Sequence, residues 1–210
     1  MEMSYPEEKP ELIKELYGRT LEKNRALLIY LGYSGALLRV RDFVLAFDVS
    51  DLLRPSEINE LKRLDMLAFT HSHYDHYQRK TTIDIQNKTG TYVLAEPQVC
   101  RDLIKKIPEE KLVCIKPGES KKLNGIEITA ISGIHVGPIN LYFIKVNEFV
   151  IFHGGDSGYV PLGGYKADLA FIPTGHPSPT ASPHHALKMA LDIKPKVVVA
   201  IHGADFQHKD

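Results

Sequence analysis

Apolar residues in this chain fall mostly in short runs cut by turn residues, and that pattern predicts strands. Strands are expected over 27–31, 36–40, 43–47, 66–70, 92–95, 112–115, 120–123, 126–131, 141–146, 149–152, 169–172 and 197–201. Gly32-Tyr33-Ser34-Gly35 and Arg41-Asp42 join the first three. Asn124-Gly125 is a strong hairpin signal, and Asn147-Glu148 a weaker one. Helical periodicity is rarer. It appears over 11–21, with Leu12, Leu16 and Tyr17 on one face. Ser56 after Pro55 is read as the N-cap of a helix to 64. A helix over 82–88 stops at Gly90, Pro97 opens one through 106, and Ser182-Pro183 caps one through 191.

Two runs of strands, each followed by helices, predict two sheets packed face to face with helices outside, an α/β architecture. No repeat, low-complexity tract or linker interrupts the pattern. The reading is therefore a single domain over 1–210, with 1–25 as an N-terminal helical extension. At 43% hydrophobic and 25% charged residues, the composition is that of a soluble globular protein. The formal net charge is zero, which argues against a dedicated nucleic-acid binder. No run approaches the ~20 apolar residues of a membrane span, and residues 1–10 lack the apolar segment of a secretory signal. Cys100 and Cys114 are too few for a disulfide framework. Read as free thiols, they point to a reducing compartment, so the expected location is cytoplasmic.

Histidine changes the picture, because ten are present and several adjoin aspartate or glycine. His71-Ser72-His73-Tyr74-Asp75-His76 follows directly on an apolar strand. In extended chain, residues two apart project to one side, so His71, His73 and Asp75 can converge while a turn carries His76 to a neighbouring position. Imidazole and carboxylate together suit zinc, manganese or iron and not calcium. Three more donors stand at strand ends: His135, Asp156 in Gly154-Gly155-Asp156-Ser157, and His202 in Ile201-His202-Gly203. Loops at the ends of a rigid sheet are where such donors can be positioned. His208 is a nearby competitor for the last place.

In residue type and order, these segments resemble the metallo-β-lactamase superfamily, with Asp48 matching its structural aspartate beneath the metals. The likeness runs from Ala26 to about His202. It implies an αββα four-layer sandwich with a metal centre at one rim. It also implies one site of His71, His73 and His135, a second of Asp75, His76 and His202, and Asp156 bridging them. Two divalent transition-metal ions follow, zinc first, with manganese or iron as alternatives. Thr70 to His76 and Pro117-Gly118-Glu119 resemble the branch of small metal-dependent hydrolases related to L-ascorbate-6-phosphate lactonase.

Two such ions can share a hydroxide and lower its pKa toward neutrality, so no protein nucleophile is needed. The expected activity is hydrolysis of a small ester, lactone or phosphorylated substrate. The alternatives are a phosphodiesterase or nuclease of the same fold, or a non-catalytic metal-binding protein. The expected partner is a small molecule rather than nucleic acid or a membrane, and the residues do not define an oligomeric state. Asp75 in the metal loop and His176 in a Gly/Pro-rich loop are the catalytic candidates. Asp48 and His153 are expected behind the ligands. Arg79 and Lys80 follow the metal loop closely enough to meet a phosphate.

Overall fold

The computed structural model describes residues 9–22, 25–176 and 178–203. Among these residues the twelve strands are β1 (Ala26–Gly32), β2 (Gly35–Val40), β3 (Phe43–Phe47), β4 (Met66–Phe69), β5 (Tyr92–Ala95), β6 (Leu112–Cys114), β7 (Ser120–Leu123), β8 (Ile126–Ser132), β9 (Asn140–Val146), β10 (Phe149–His153), β11 (Leu169–Pro173) and β12 (Val197–Ile201). Its helices are α1 (Lys9–Gly18), α2 (Pro55–Glu60), α3 (Arg79–Thr89), α4 (Pro97–Leu103) and α5 (Pro183–Ile193). One six-stranded sheet runs β1-β2-β3-β4-β5-β6 and the other β12-β11-β10-β9-β8-β7.

The layering follows from the two-residue period of buried strands. Along β3, Leu45 and Phe47 face the core between the sheets, while Val44 and Ala46 face the opposite layer. On β4, Met66 and Ala68 point inward, and Leu67 and Phe69 outward. The inner core is completed from the second sheet by Ile128, Tyr142, Ile144 and Phe171. Outside the first sheet lie Ile13 and Leu16 of α1, Ile58 of α2, Ile85 of α3, and Val99 and Leu103 of α4. Met189 and Ile193 of α5 cover the second. Helix, sheet, sheet and helix therefore stack in the expected four layers. A fully buried residue such as Leu45 stands between them, and truncation to alanine there costs about 2–5 kcal/mol.

Strand direction sets where loops gather. β3, β4, β5 and β6 are parallel, and β10 is parallel to β11 and, through it, to β12. β8 and β10 both run antiparallel to β9, so they share a direction. The C-terminal ends of β3, β4, β8, β10 and β12 meet at one rim. The sheets are tied there by Asn140 N–H donating to the Thr70 carbonyl at 3.0 Å and by Tyr142 Oη donating to the Phe69 carbonyl at 3.0 Å.

Several local expectations need correction. The N-cap of α2 is Arg54, with Pro55 as the first helical residue, and the helix ends at Glu60. Glu57 accepts the Arg54 N–H at 2.7 Å, so a glutamate three residues in closes this end without the Ser56 hydroxyl. α3 begins at Arg79, earlier than its apolar residues suggest, though Gly90 does close it in the left-handed conformation (φ 64°). On α1 the buried pair is Ile13 and Leu16, whereas Leu12 is exposed. Cys100 and Cys114 are not free thiols. They form a disulfide across 14 residues, because α4 lays Cys100 beside the end of β6 with the Cα atoms 5.8 Å apart. That removes the thiol argument for a reducing compartment. Among the described residues, no helix is long and apolar enough to cross a membrane.

Candidate metal centre

Asp48 follows β3 in the left-handed region, at φ 41°, and is fully buried. Its Oδ1 accepts the Thr70 N–H at 2.8 Å, and its Oδ2 accepts the Thr70 hydroxyl at 2.7 Å. The same Oδ2 lies 2.8 Å from His76 Nδ1. One carboxylate thus fixes both ends of the loop after β4. Between them the chain turns, with the N–H groups of His76 and Tyr77 donating to the His73 carbonyl at 3.0 and 2.9 Å.

This turn, with the strand ends opposite, forms two adjacent groups of donors. His71, His73 and His135 make one; Asp75, His76, Asp156 and His202 make the other, and within each the ligand atoms lie within 4.8 Å of one another. His135 Nε2 is 3.1 Å from His73 Nδ1. Asp156 Oδ1 is 3.0 Å from His76 Nε2 and 2.7 Å from His202 Nε2. Asp75 Oδ2 stands 3.7 and 3.6 Å from the same two nitrogens. The His71 and His76 rings, one from each group, have centroids 4.0 Å apart. All seven donors named from the sequence are brought together, with Asp156 in the second group. His208 lies outside the described residues.

The donor atoms fit a cation. His76 gives its Nδ1–H to Asp48, which leaves Nε2 as the atom turned toward Asp156, available to a cation once its own proton leaves. The Thr70 proton is committed to Asp48, so Thr70 Oγ1 accepts from His71 Nδ1 at 3.1 Å. His71 Nε2 is consequently bare, buried and without a hydrogen-bond partner, as is Asp156 Oδ1. Asp156 Oδ1 approaches two imidazole nitrogens at ion-pair distance, and a bound cation would stand where a proton otherwise bridges them. Buried acceptors left this way cost free energy unless something positive satisfies them. Electrostatics agree: burial, reinforced by His76, pushes His71 well below the usual histidine range, and burial lowers His135. Burial opposes ionisation of Asp156, yet His76 and His202 hold it well below the ordinary carboxylate value. Neutral imidazoles and ionised carboxylates are the forms that bind metal, so His71, His135 and Asp156 stand ready, whereas His76, raised by Asp156 and Asp48 against its burial, gives up a proton on binding.

The remaining sequence candidates sit further out. His153 stacks between Phe47 and Phe171, donates from Nε2 to the Ser34 carbonyl at 3.2 Å, and accepts the Gly155 N–H at 3.2 Å. It reaches the ligands through the Gly155 backbone. Gly155 itself lies at φ 52°, and a Cβ there would come within 3.0 Å of Thr70. His176 is exposed in the turn after β11, outside both donor groups. Arg79 is committed elsewhere: its guanidinium forms a two-pronged pair with Asp102, Nε donating at 2.7 Å, and Tyr77 donates to that carboxylate at 2.6 Å. Lys80 pairs with Asp84 at 2.5 Å. The expectation that these cations meet a phosphate is therefore not supported. Sequence reasoning missed the hydroxyls that hold the site. Ser157 Oγ accepts the Ile134 N–H at 2.8 Å, steering the chain into His135. Ser178 and Thr180 donate to the Asp156 carbonyl at 2.7 and 2.8 Å. Thr70, beside His71, could have been found by adjacency; Ser178 and Thr180 carry no local signal.

Comparison with known proteins agrees with this geometry. The profile of the beta-lactamase superfamily domain matches residues 43–203. A metal-dependent hydrolase of Caldivirga maquilingensis is 32% identical over 75% of this chain and 72% of its own. A probable L-ascorbate-6-phosphate lactonase of Salmonella heidelberg is 26% identical over 68% of this chain, and the match spans 49% of the lactonase. Among solved structures, Igni18, a metallo hydrolase from Ignicoccus hospitalis, superposes with a TM-score of 0.73 at 24% identity, covering 89% of this chain and 87% of its own, a likeness of fold.

Proposed function

The chain belongs to the beta-lactamase superfamily, and from that premise we propose that it is a metal-dependent hydrolase acting on a small ester or lactone at a paired metal centre. The observation that carries this reading is the convergence of seven donor side chains, from four separate loops, into two adjoining groups at one rim. His71, His73 and His135 would hold one ion, and Asp75, His76, Asp156 and His202 the other. The donor chemistry suits zinc first, and manganese or iron next. When bound, such a pair acidifies water and polarises the scissile group.

The chain's own residues supply the rest. Asp48 and Thr70 keep His76 and His71 in single tautomers, so the donor atoms are set before a substrate arrives. The lactonase relative supports a cyclic or linear ester as substrate class. Zero net charge supports a small molecule over nucleic acid, and the commitment of Arg79 to Asp102 weighs against a phosphate handle there.

The test joins metal analysis to a substrate screen. Purified protein is expected to carry about two transition-metal ions per chain and to hydrolyse lactones or esters in preference to phosphodiesters. Chelation should abolish turnover, and His71→Ala should reduce it by two orders of magnitude or more. Full activity after verified metal removal would reject the reading. A clear preference for phosphodiesters would reject the substrate class.

A further inference from the structure

Thr180 lies in the loop between β11 and α5, 24 residues from Asp156 and 45 from His135, both of which it touches. Besides a 3.4 Å approach to the Ser178 hydroxyl, its own hydroxyl makes two shorter contacts of opposite sense. Oγ1 donates to the Asp156 carbonyl at 2.8 Å, and it lies 3.1 Å from His135 Nδ1. A hydroxyl has one proton. With that proton given to the carbonyl, Oγ1 faces His135 as an acceptor, so Nδ1 must carry the hydrogen. Nε2 is left bare, on the side of the ring that stands 3.1 Å from His73 Nδ1.

The loop is held so that this geometry is not accidental. His185 Nδ1 is 3.0 Å from the Thr180 carbonyl, and Ser178 donates to the same Asp156 carbonyl at 2.7 Å. Gly158 passes so close that a Cβ there would come within 3.0 Å of the Thr180 carbonyl oxygen. Thr70 performs the same operation on His71, with Asp48 as its acceptor.

We propose that Thr180 is a positioning residue for the metal centre: through one hydroxyl it fixes the tautomer of His135 and ties that ring to the loop carrying Asp156. It touches neither ion nor substrate. The inference rests on the metal-centre reading above, and it assigns the 178–182 segment a part in assembling a site whose ligands all lie elsewhere.

The experiment compares wild type with Thr180→Val, which keeps shape and loses the hydroxyl, and Thr180→Ser, which keeps the hydroxyl. Zinc affinity is measured by competition with a chromophoric chelator, and ligand geometry by the visible spectrum of the cobalt(II) form. Thr180→Val is expected to weaken one zinc site roughly 10- to 100-fold and to alter the cobalt spectrum. Thr180→Ser should stay within about threefold of wild type, and both should keep the wild-type circular dichroism. A long-range proton–nitrogen spectrum of zinc-loaded wild type reads the tautomer directly, whatever the fate of the variants. His135 should carry its hydrogen on Nδ1. Equal zinc affinity in wild type and Thr180→Val, an equal loss in Thr180→Ser, or a hydrogen on Nε2 would overturn the assignment to Thr180 while leaving the metal centre intact. Wild type that takes up no zinc would overturn both.

Discussion

His76 differs from its histidine neighbours in having carboxylates on both ring nitrogens, and this gives the metal-free protein an unusual pH dependence. Burial opposes the charged ring, but Asp156 and Asp48 outweigh it and raise His76 well above 6.5. Burial lowers His71, His135 and His153 below that value. Below about pH 6.5 the unfolded chain binds protons that these three refuse, so stability rises with pH. Above it, folded His76 keeps a proton that the unfolded chain has lost, so stability falls as pH climbs toward the raised value. Chelator-treated protein should therefore be most stable near pH 6.5. Zinc bound at Nε2 would displace that proton, and the decline on the alkaline side should then vanish. Urea denaturation from about pH 5.5 to 8.5, with and without zinc, measures both limbs. Metal-free stability that keeps rising to pH 8.5 would contradict the assigned surroundings of His76.

At the scale of elements, the disulfide is the feature with the largest separable effect. It closes a loop of 14 residues between α4 and the edge strand β6. Cross-linking a loop of that size stabilises by about 3 kcal/mol in the chain-entropy picture. For a chain of this length that corresponds to a melting shift of roughly 6–12 °C. Differential scanning calorimetry of the oxidised protein against Cys100→Ala/Cys114→Ala checks it, and a difference under about 2 °C would show that the bridge adds no stability. The bridge was illegible in the sequence because two cysteines state nothing about spatial proximity. The strands were legible, since alternation survives wherever both faces of a sheet are covered, as on β3 and β4. Asn124 and Gly125 turn at φ 46° and 85°, as their residue types foretold. Helix ends read less well. Arg54 and Gln78 stand at the N-caps of α2 and α3, and neither is a usual cap residue type, so composition gave no cue. The candidate donors were visible because metals demand specific side chains. The hydroxyls behind them were not, because serine and threonine serve many purposes.

Across the whole molecule, the two sheets divide the donors between them. The loop after β4, in the first sheet, carries His71, His73, Asp75 and His76; the ends of β8, β10 and β12, in the second, carry His135, Asp156 and His202. Neither donor group draws on one sheet alone, so each ion would pin the sheets together at the open rim. At a hundred times its dissociation constant, a ligand bound only by the folded state contributes about 2.7 kcal/mol. Two such sites give roughly 5 kcal/mol, and a melting shift of about 10–20 °C for a chain of this size. Removing the metal should thus lower the midpoint by that amount. It should also speed amide exchange together in the 70–77 and 154–158 segments, since losing a pin frees both of its ends. Loosening confined to 70–77 would mean that the ions are held by one sheet. An unchanged midpoint after verified chelation would mean that the rim closes without them, and the bare nitrogen of His71 would then need another explanation.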